Sequence, residues 1–158
     1  MTTHYIDITL LPDPEFSHAH LLAALVAKLH RVLVQGQTTD IGVSYPQHVN
    51  QPQARRTLGA VLRLHGTAEA LQRLMAQDWL KGMRDHTQVT TACSAPADAQ
   101  HRTVRRRQFK TNAERLRRRR MQRKGETAEQ AAAAIPDSVE RRPNLPFVQL
   151  RSGSTGQP

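Results

Sequence analysis

The side chains here that could do chemistry are mostly cations, and they are concentrated. Residues 101–124 hold twelve of the twenty-three Lys and Arg and a single acid, Glu114. Residues 1–100 carry eight bases and eight acids, and residues 125–158 carry three and four, so the net charge of +10 resides in one stretch. Charge localised in this way is a surface for a polyanion. Guanidinium forks suit phosphate, because they pair bidentately with its oxygens. The plainer alternative is a solvated charged helix or a targeting signal, but the stretch lacks the acids that would balance such a helix.

Acid–base candidates are fewer. His30 falls with Leu22, Val26 and Leu33 at one edge of an apolar helical face. It is either an amphipathic boundary residue or a group that takes a proton near neutral pH, as a general base for a ribose 2′-hydroxyl must. Ser152 could hydrogen-bond that hydroxyl and hold it in line with a phosphate, or be an ordinary polar turn residue. Cys93 is the only cysteine, so it forms no internal disulfide, and nothing beside it marks a reactive thiol. His18 and His20 are the closest histidine pair, yet residues two apart on a helix point to different faces. No His or Cys spacing resembles a zinc site. No metal or cofactor is expected.

The elements that must position these groups can be read in order. Tyr5–Leu10 alternates, with Ile6, Ile8 and Leu10 on one face, and predicts a half-buried strand. Ser17 is placed to cap a helix running to about Val34, with Phe16 packing on Leu21 as a staple and Gly36 as the stop. Its apolar face is Leu21, Leu22, Leu25, Val26, Leu29, Val32 and Leu33. Ile41–Tyr45 and Leu58–His65 read as strands. Thr67 caps a second helix through Leu71, Leu74 and Met75, and Thr87–Cys93 reads as a weak fourth strand. Strand–helix–strand–strand–helix–strand is the ferredoxin-like order. Ser94–Gln100 reads as a linker. The expectation is an α+β chain: a ferredoxin-like domain over 1–94 and a second domain over 95–158 carrying the arginine-rich helix.

Within that second domain, Thr103–Phe109 reads as a strand with Arg106 and Gln108 on one face. Thr111 followed by Glu114 predicts a helix start at Thr111 or Asn112. At about 100° per residue, Arg115, Arg118, Arg119 and Gln122 share a face, with Arg123 at its edge. Leu116 and Met121 diverge, so little of this helix is expected to be buried against its own protein. Thr127 begins a short Ala-rich helix that ends before Pro136, and Phe147–Leu150 reads as a strand. No apolar run is long enough for a membrane span, and the N-terminus has no signal-peptide pattern, so a cytoplasmic protein is expected.

Several stretches together resemble the CRISPR-RNA-processing endoribonuclease family of subtype I-F, over essentially the whole length. They are HYIDITLLPDPEF near the N-terminus, KLH ending at His30, IGVSYP from Ile41, RDH at Arg84–His86, KTNAERLRRR at Lys110–Arg119, IPDSV at Ile135–Val139 and LPFVQLRSGSTGQ from Leu145. The resemblance implies an enzyme that binds the RNA hairpin of the CRISPR repeat and cuts at the 3′ base of its stem without metal. It implies a 2′,3′-cyclic phosphate product and a protein that stays bound to the guide within the type I-F surveillance complex. The catalytic histidine and serine of the family fall on His30 and Ser152. Its base-reading residues fall on Arg106 and Gln108, types suited to guanine and adenine edges. Its phosphate contacts fall on Arg115 and Arg119, and the helix geometry adds Arg118 and Arg123. One basic position of the family is Gln122 here. The family also continues past the STGQ turn for roughly thirty residues, the length of two short strands, which carry an aromatic and a tyrosine that Tyr5 and Tyr45 are not placed to replace. The free protein is expected to be a monomer. The competing readings are a non-cleaving hairpin-binding module and a generic basic RNA- or DNA-binding protein.

Overall fold

The computed structural model describes residues 2–105, 107, 109–110, 112–141 and 144–150. The chain divides into two compact units, one holding Met1–Val104 with the stretch that begins at Leu145, the other Arg105–Asn144.

In the first unit the alternation near the N-terminus becomes strand β1 (His4–Leu10), with Ile6, Ile8 and Leu10 buried. Helix α1 (His18–Gln35) follows. The Ser17 hydroxyl accepts from the His20 backbone amide, satisfying one of the orphan donors at the helix start. The expected staple takes another form: Phe16 stacks on the His20 ring, 5.4 Å between centroids, and remains 40% exposed. An aromatic neighbour four residues along was available, and a flat ring stacks on Phe16.

Strand β2 (Gly42–Ser44) is short, and β3 (Val61–Gly66) begins later than the alternation suggested. Helix α2 (Ala68–Met75) is capped by the Thr67 hydroxyl. Strands β4 (Thr87–Val89) and β5 (Cys93–Ser94) divide the expected fourth strand in two. The ladder is antiparallel throughout, in the order β2–β3–β1–β4, with β5 also pairing with β1. With both helices packed on it, this is the ferredoxin-like arrangement.

Register explains the two faces of the sheet. Ile6 opposes Leu64 and Ile8 opposes Leu62, so these side chains share the face covered by Leu21, Leu25 and Leu29 of α1 and Leu71 and Leu74 of α2. Burial of this set supplies the unit's main stabilisation. On the opposite face Arg63 donates to both carboxylate oxygens of Asp7, at 2.7 and 2.8 Å. Its guanidinium lies 4.2 Å from the centre of the Tyr5 ring. Ser44 Oγ and His65 Nε2 are 2.7 Å apart, and burial is the main influence depressing the His65 pKa, with Arg63 adding to it.

The second unit is built on helices α3 (Ala113–Lys124) and α4 (Ala128–Ala134). The start of α3 is capped by Asn112, whose side-chain oxygen accepts from the Arg115 amide at 2.7 Å; Thr111 lies outside the described residues. Thr127 and Gln130 form the reciprocal capping box of α4. Two expected strands are not seen among the described residues. Those within 103–109 belong to neither strand nor helix, and the alternation there puts Val104 and Phe109 on opposite faces, so neither face gathers an apolar set to bury. Residues 147–150 are likewise outside any strand, with Phe147 79% exposed. No described strand pairs with them, and an unpaired strand has no partner for its backbone groups.

Candidate nucleic-acid interface

Helix α1 is held against the sheet by Leu21, Leu22, Leu25, Leu29 and Val32, all buried. His30 follows the last but one of these and is exposed, between half-buried Val26 and Leu33 on its side of the helix. Lys28 ties the same turn to the segment after α2, its ammonium donating to the Lys81 carbonyl at 2.7 Å. The backbone of His30 is thus carried on a turn anchored to the core and to the segment after α2. Ser152, Arg106 and Gln108 lie outside the described residues, so no geometry relates them to His30.

The basic helix α3 is more structured than its composition suggests. Cations occur on every side, but they are not equivalent. Arg115, Arg118, Arg119, Gln122 and Arg123 are exposed. Arg118 reaches Glu114 at 3.4 Å, with both side chains largely in solvent, a contact worth little. Arg117 and Arg120 turn toward α4 and its flanks. Arg117 donates to the Ile135 carbonyl at 2.8 Å and to Asp137 at 2.6 Å. Arg120 grips Glu126 with two bonds of 2.6 and 3.0 Å. The Arg120 hydrogen bond is the largest influence holding the Glu126 carboxyl below its ordinary pKa, and the same bond raises that of Arg120.

As expected, little of α3 is buried: Ala113 is its buried residue, with Leu116, Arg117, Arg120 and Met121 half-buried, and the arginine stems cover what lies beside them. One expectation is corrected: the balancing acids do exist, outside the basic stretch. Glu126 and Asp137 pair with Arg120 and Arg117, and Glu140 accepts from the Ala113 amide at 2.8 Å. That carboxylate sits at the N-terminus of α3, where the helix dipole favours it. Arg117 and Arg120 were thus missed as structural cations; the signal was the acid at 126, just past the Gly125 stop.

What remains outward is a row of arginines on a helix held by a cap, a carboxylate and two ion pairs. A left-handed Gly125, φ 65°, ends it, and Arg123 and Lys124 lie in its last turn. Such a row can neutralise a line of phosphates. Among the described residues no group of three or more His, Cys, Asp or Glu could hold a metal ion, and no helix is long and apolar enough to cross a membrane.

Comparison with known proteins adds the following. A family model described as CRISPR-associated protein (Cas_Csy4) matches residues 5–158. A protein of Pseudomonas aeruginosa named CRISPR-associated endonuclease Cas6/Csy4 is 47% identical over 154 residues, covering 98% of this chain and 81% of its own length. A protein of Escherichia coli with the same name is 45% identical over 154 residues, 98% of this chain and 80% of the relative.

Proposed function

Because the chain belongs to the Cas_Csy4 family of CRISPR-associated proteins, we propose that it is an endoribonuclease that processes CRISPR RNA, binding the hairpin of the repeat and cutting at the 3′ base of its stem. The observation that carries this is the match to two endonucleases across 98% of the chain, and the outward arginines of α3 agree with it. In this reading residues 1–94 supply the base, and residues 95–158 supply the grip on RNA.

His30 removes the proton of a ribose 2′-hydroxyl held by Ser152. The freed oxygen attacks the adjoining phosphorus, the bond to the 5′-oxygen breaks with that oxygen taking up a proton from water to leave as a hydroxyl, and a 2′,3′-cyclic phosphate is left. The nucleophile belongs to the substrate, so no metal-bound hydroxide is required. Arg115, Arg118, Arg119 and Arg123 meet phosphates. An intact A-form major groove is too deep and narrow for side chains, so Arg106 and Gln108 read base edges near the end of the stem, where the groove opens. The protein acts as a cytoplasmic monomer until it joins the other subunits of a type I-F surveillance complex, and it keeps the processed guide.

The test is repeat RNA incubated with the protein in EDTA, with products resolved on a gel and their 3′ ends assayed for a cyclic phosphate. One cut at the stem base with a cyclic end is expected. Tight binding with no cut would leave a hairpin-binding module, and equal affinity for hairpin and unrelated duplex would leave a generic basic RNA-binding protein.

A further inference from the structure

We propose that Glu126 sets the number of phosphate contacts α3 can make: it withholds Arg120 from phosphate, so that α3 meets nucleic acid only through its outward arginines. The inference rests on the reading of α3 as an RNA-binding helix.

Arg120 is the last of four consecutive arginines, and nothing in its own helix distinguishes it from its neighbours. Arg119, Arg120, Arg123 and Lys124 line one cleft of about 220 Å³ together with Leu116 and Ile135. A phosphate held by the exposed members of that lining would be within reach of Arg120 if the guanidinium were free. It is not free, because Glu126 takes two of its donors in a fork-to-fork pair. The pair is 33% and 22% exposed, at the surface but shielded. The Arg120 hydrogen bond lowers the Glu126 pKa below its ordinary value and so favours the charged carboxylate.

The consequence follows from what phosphate contacts do. They strengthen binding to any nucleic acid alike and carry no sequence information. Each additional contact steepens the salt dependence by about 0.7–0.9 and raises affinity for wrong and right partners together. Removing one cation from the contact set therefore lowers affinity for every nucleic acid and flattens its salt dependence. Glu126 does so without deleting the arginine, whose stem still packs the second unit.

The experiment measures binding of a scrambled single-stranded RNA and of the repeat hairpin across a salt series. Glu126→Gln should steepen the slope on scrambled RNA and on the hairpin alike, by about 0.7–0.9. Glu129→Gln removes the same charge from an exposed position of α4 and should leave the slope unchanged. Arg120→Gln/Glu126→Gln should return it to the wild-type value. Should Glu126→Gln fail to fold by circular dichroism, Arg120→Gln alone decides. It should leave the slope as in wild type, whereas Arg119→Gln should reduce it by about one contact. The proposal is overturned if Glu126→Gln leaves the slope unchanged, if Glu129→Gln steepens it equally, or if Arg120→Gln reduces it as Arg119→Gln does. A wild-type protein without preference for the hairpin would instead defeat the functional reading, and the scrambled-RNA series would still judge Glu126.

Discussion

The two units of this molecule are held together by opposite means. Residues before Val104 form a sheet with two helices on it and a continuous core; Ile8, Leu25, Leu62, Leu64 and Leu71 are fully buried. Residues 105–144 bury only Ala113 and Ala131 among the described side chains and rely on a cap, a carboxylate at a helix start and two arginine ion pairs. The first kind of stability is insensitive to charge and costly to perforate. The second is tuned by pH and by single acids. A catalytic group is best carried on the first, and a row of phosphate contacts on the second, whose cations need acids nearby to fold and few acids outward to bind.

Three perturbations sharpen that contrast, in falling order of effect. Leu25→Ala removes the centre of the first unit's core and should cost about 2–5 kcal/mol. Trp79, the chain's only tryptophan, is buried in that core, so its fluorescence in a urea titration reports the loss. Amide exchange across Ala113–Ala134 should be unaffected. Asn112→Ala acts on the other unit. Losing the cap of α3 should cost about 0.5–2 kcal/mol of local stability, visible as faster exchange in the first turn of that helix with the Trp79 transition unmoved.

The smallest effect comes from acid. Glu126 has a folded pKa below its ordinary 4.5, so the stability it contributes is complete above that value. It is lost as pH falls through the depressed one. Asp13 in the first unit behaves with the same sign, its carboxyl held down chiefly by the backbone amides of Glu15 and Phe16, but the apolar core does not titrate. Between neutrality and pH 4.5 the second unit should not change, whereas the first loses some stability as pH falls below 6.5, because His65 with its depressed pKa takes up its proton more readily unfolded than folded. Below pH 4.5, helical signal from residues 105–144 should decline before Trp79 becomes exposed. Simultaneous loss would mean the two units do not differ as described.

The same contrast governs how much the sequence reveals. Apolar periodicity is a strong signal because burial is its cause: Ile6, Ile8 and Leu10 and the α1 face were legible, as were the Ser17, Thr67 and Thr127 caps, where a hydroxyl's spacing defines the bond. The stretches at 103–109 and 147–150 misled because alternation over a few residues does not ensure a partner strand. Arg117 and Arg120 were unreadable as anchors, since a helical projection treats all arginines alike and their acids lie beyond the helix, at Glu126 and Asp137. His30 was legible as an edge residue of α1, and the structure leaves it exposed there. Arg106, Gln108 and Ser152 lie outside the described residues, so their readings rest on family likeness.

The central claim is that the well-packed unit carries the base and the charged unit carries the grip. The most direct measurement is single-turnover cleavage of repeat RNA by His30→Ala in EDTA, paired with hairpin affinity for the same protein. Loss of a positioned base should slow cutting by about 10²–10⁴ while affinity stays within about twofold of wild type, since the base acts on the transition state more than on bound substrate. Cleavage at the wild-type rate, or slowed only in step with weakened binding, would contradict the account.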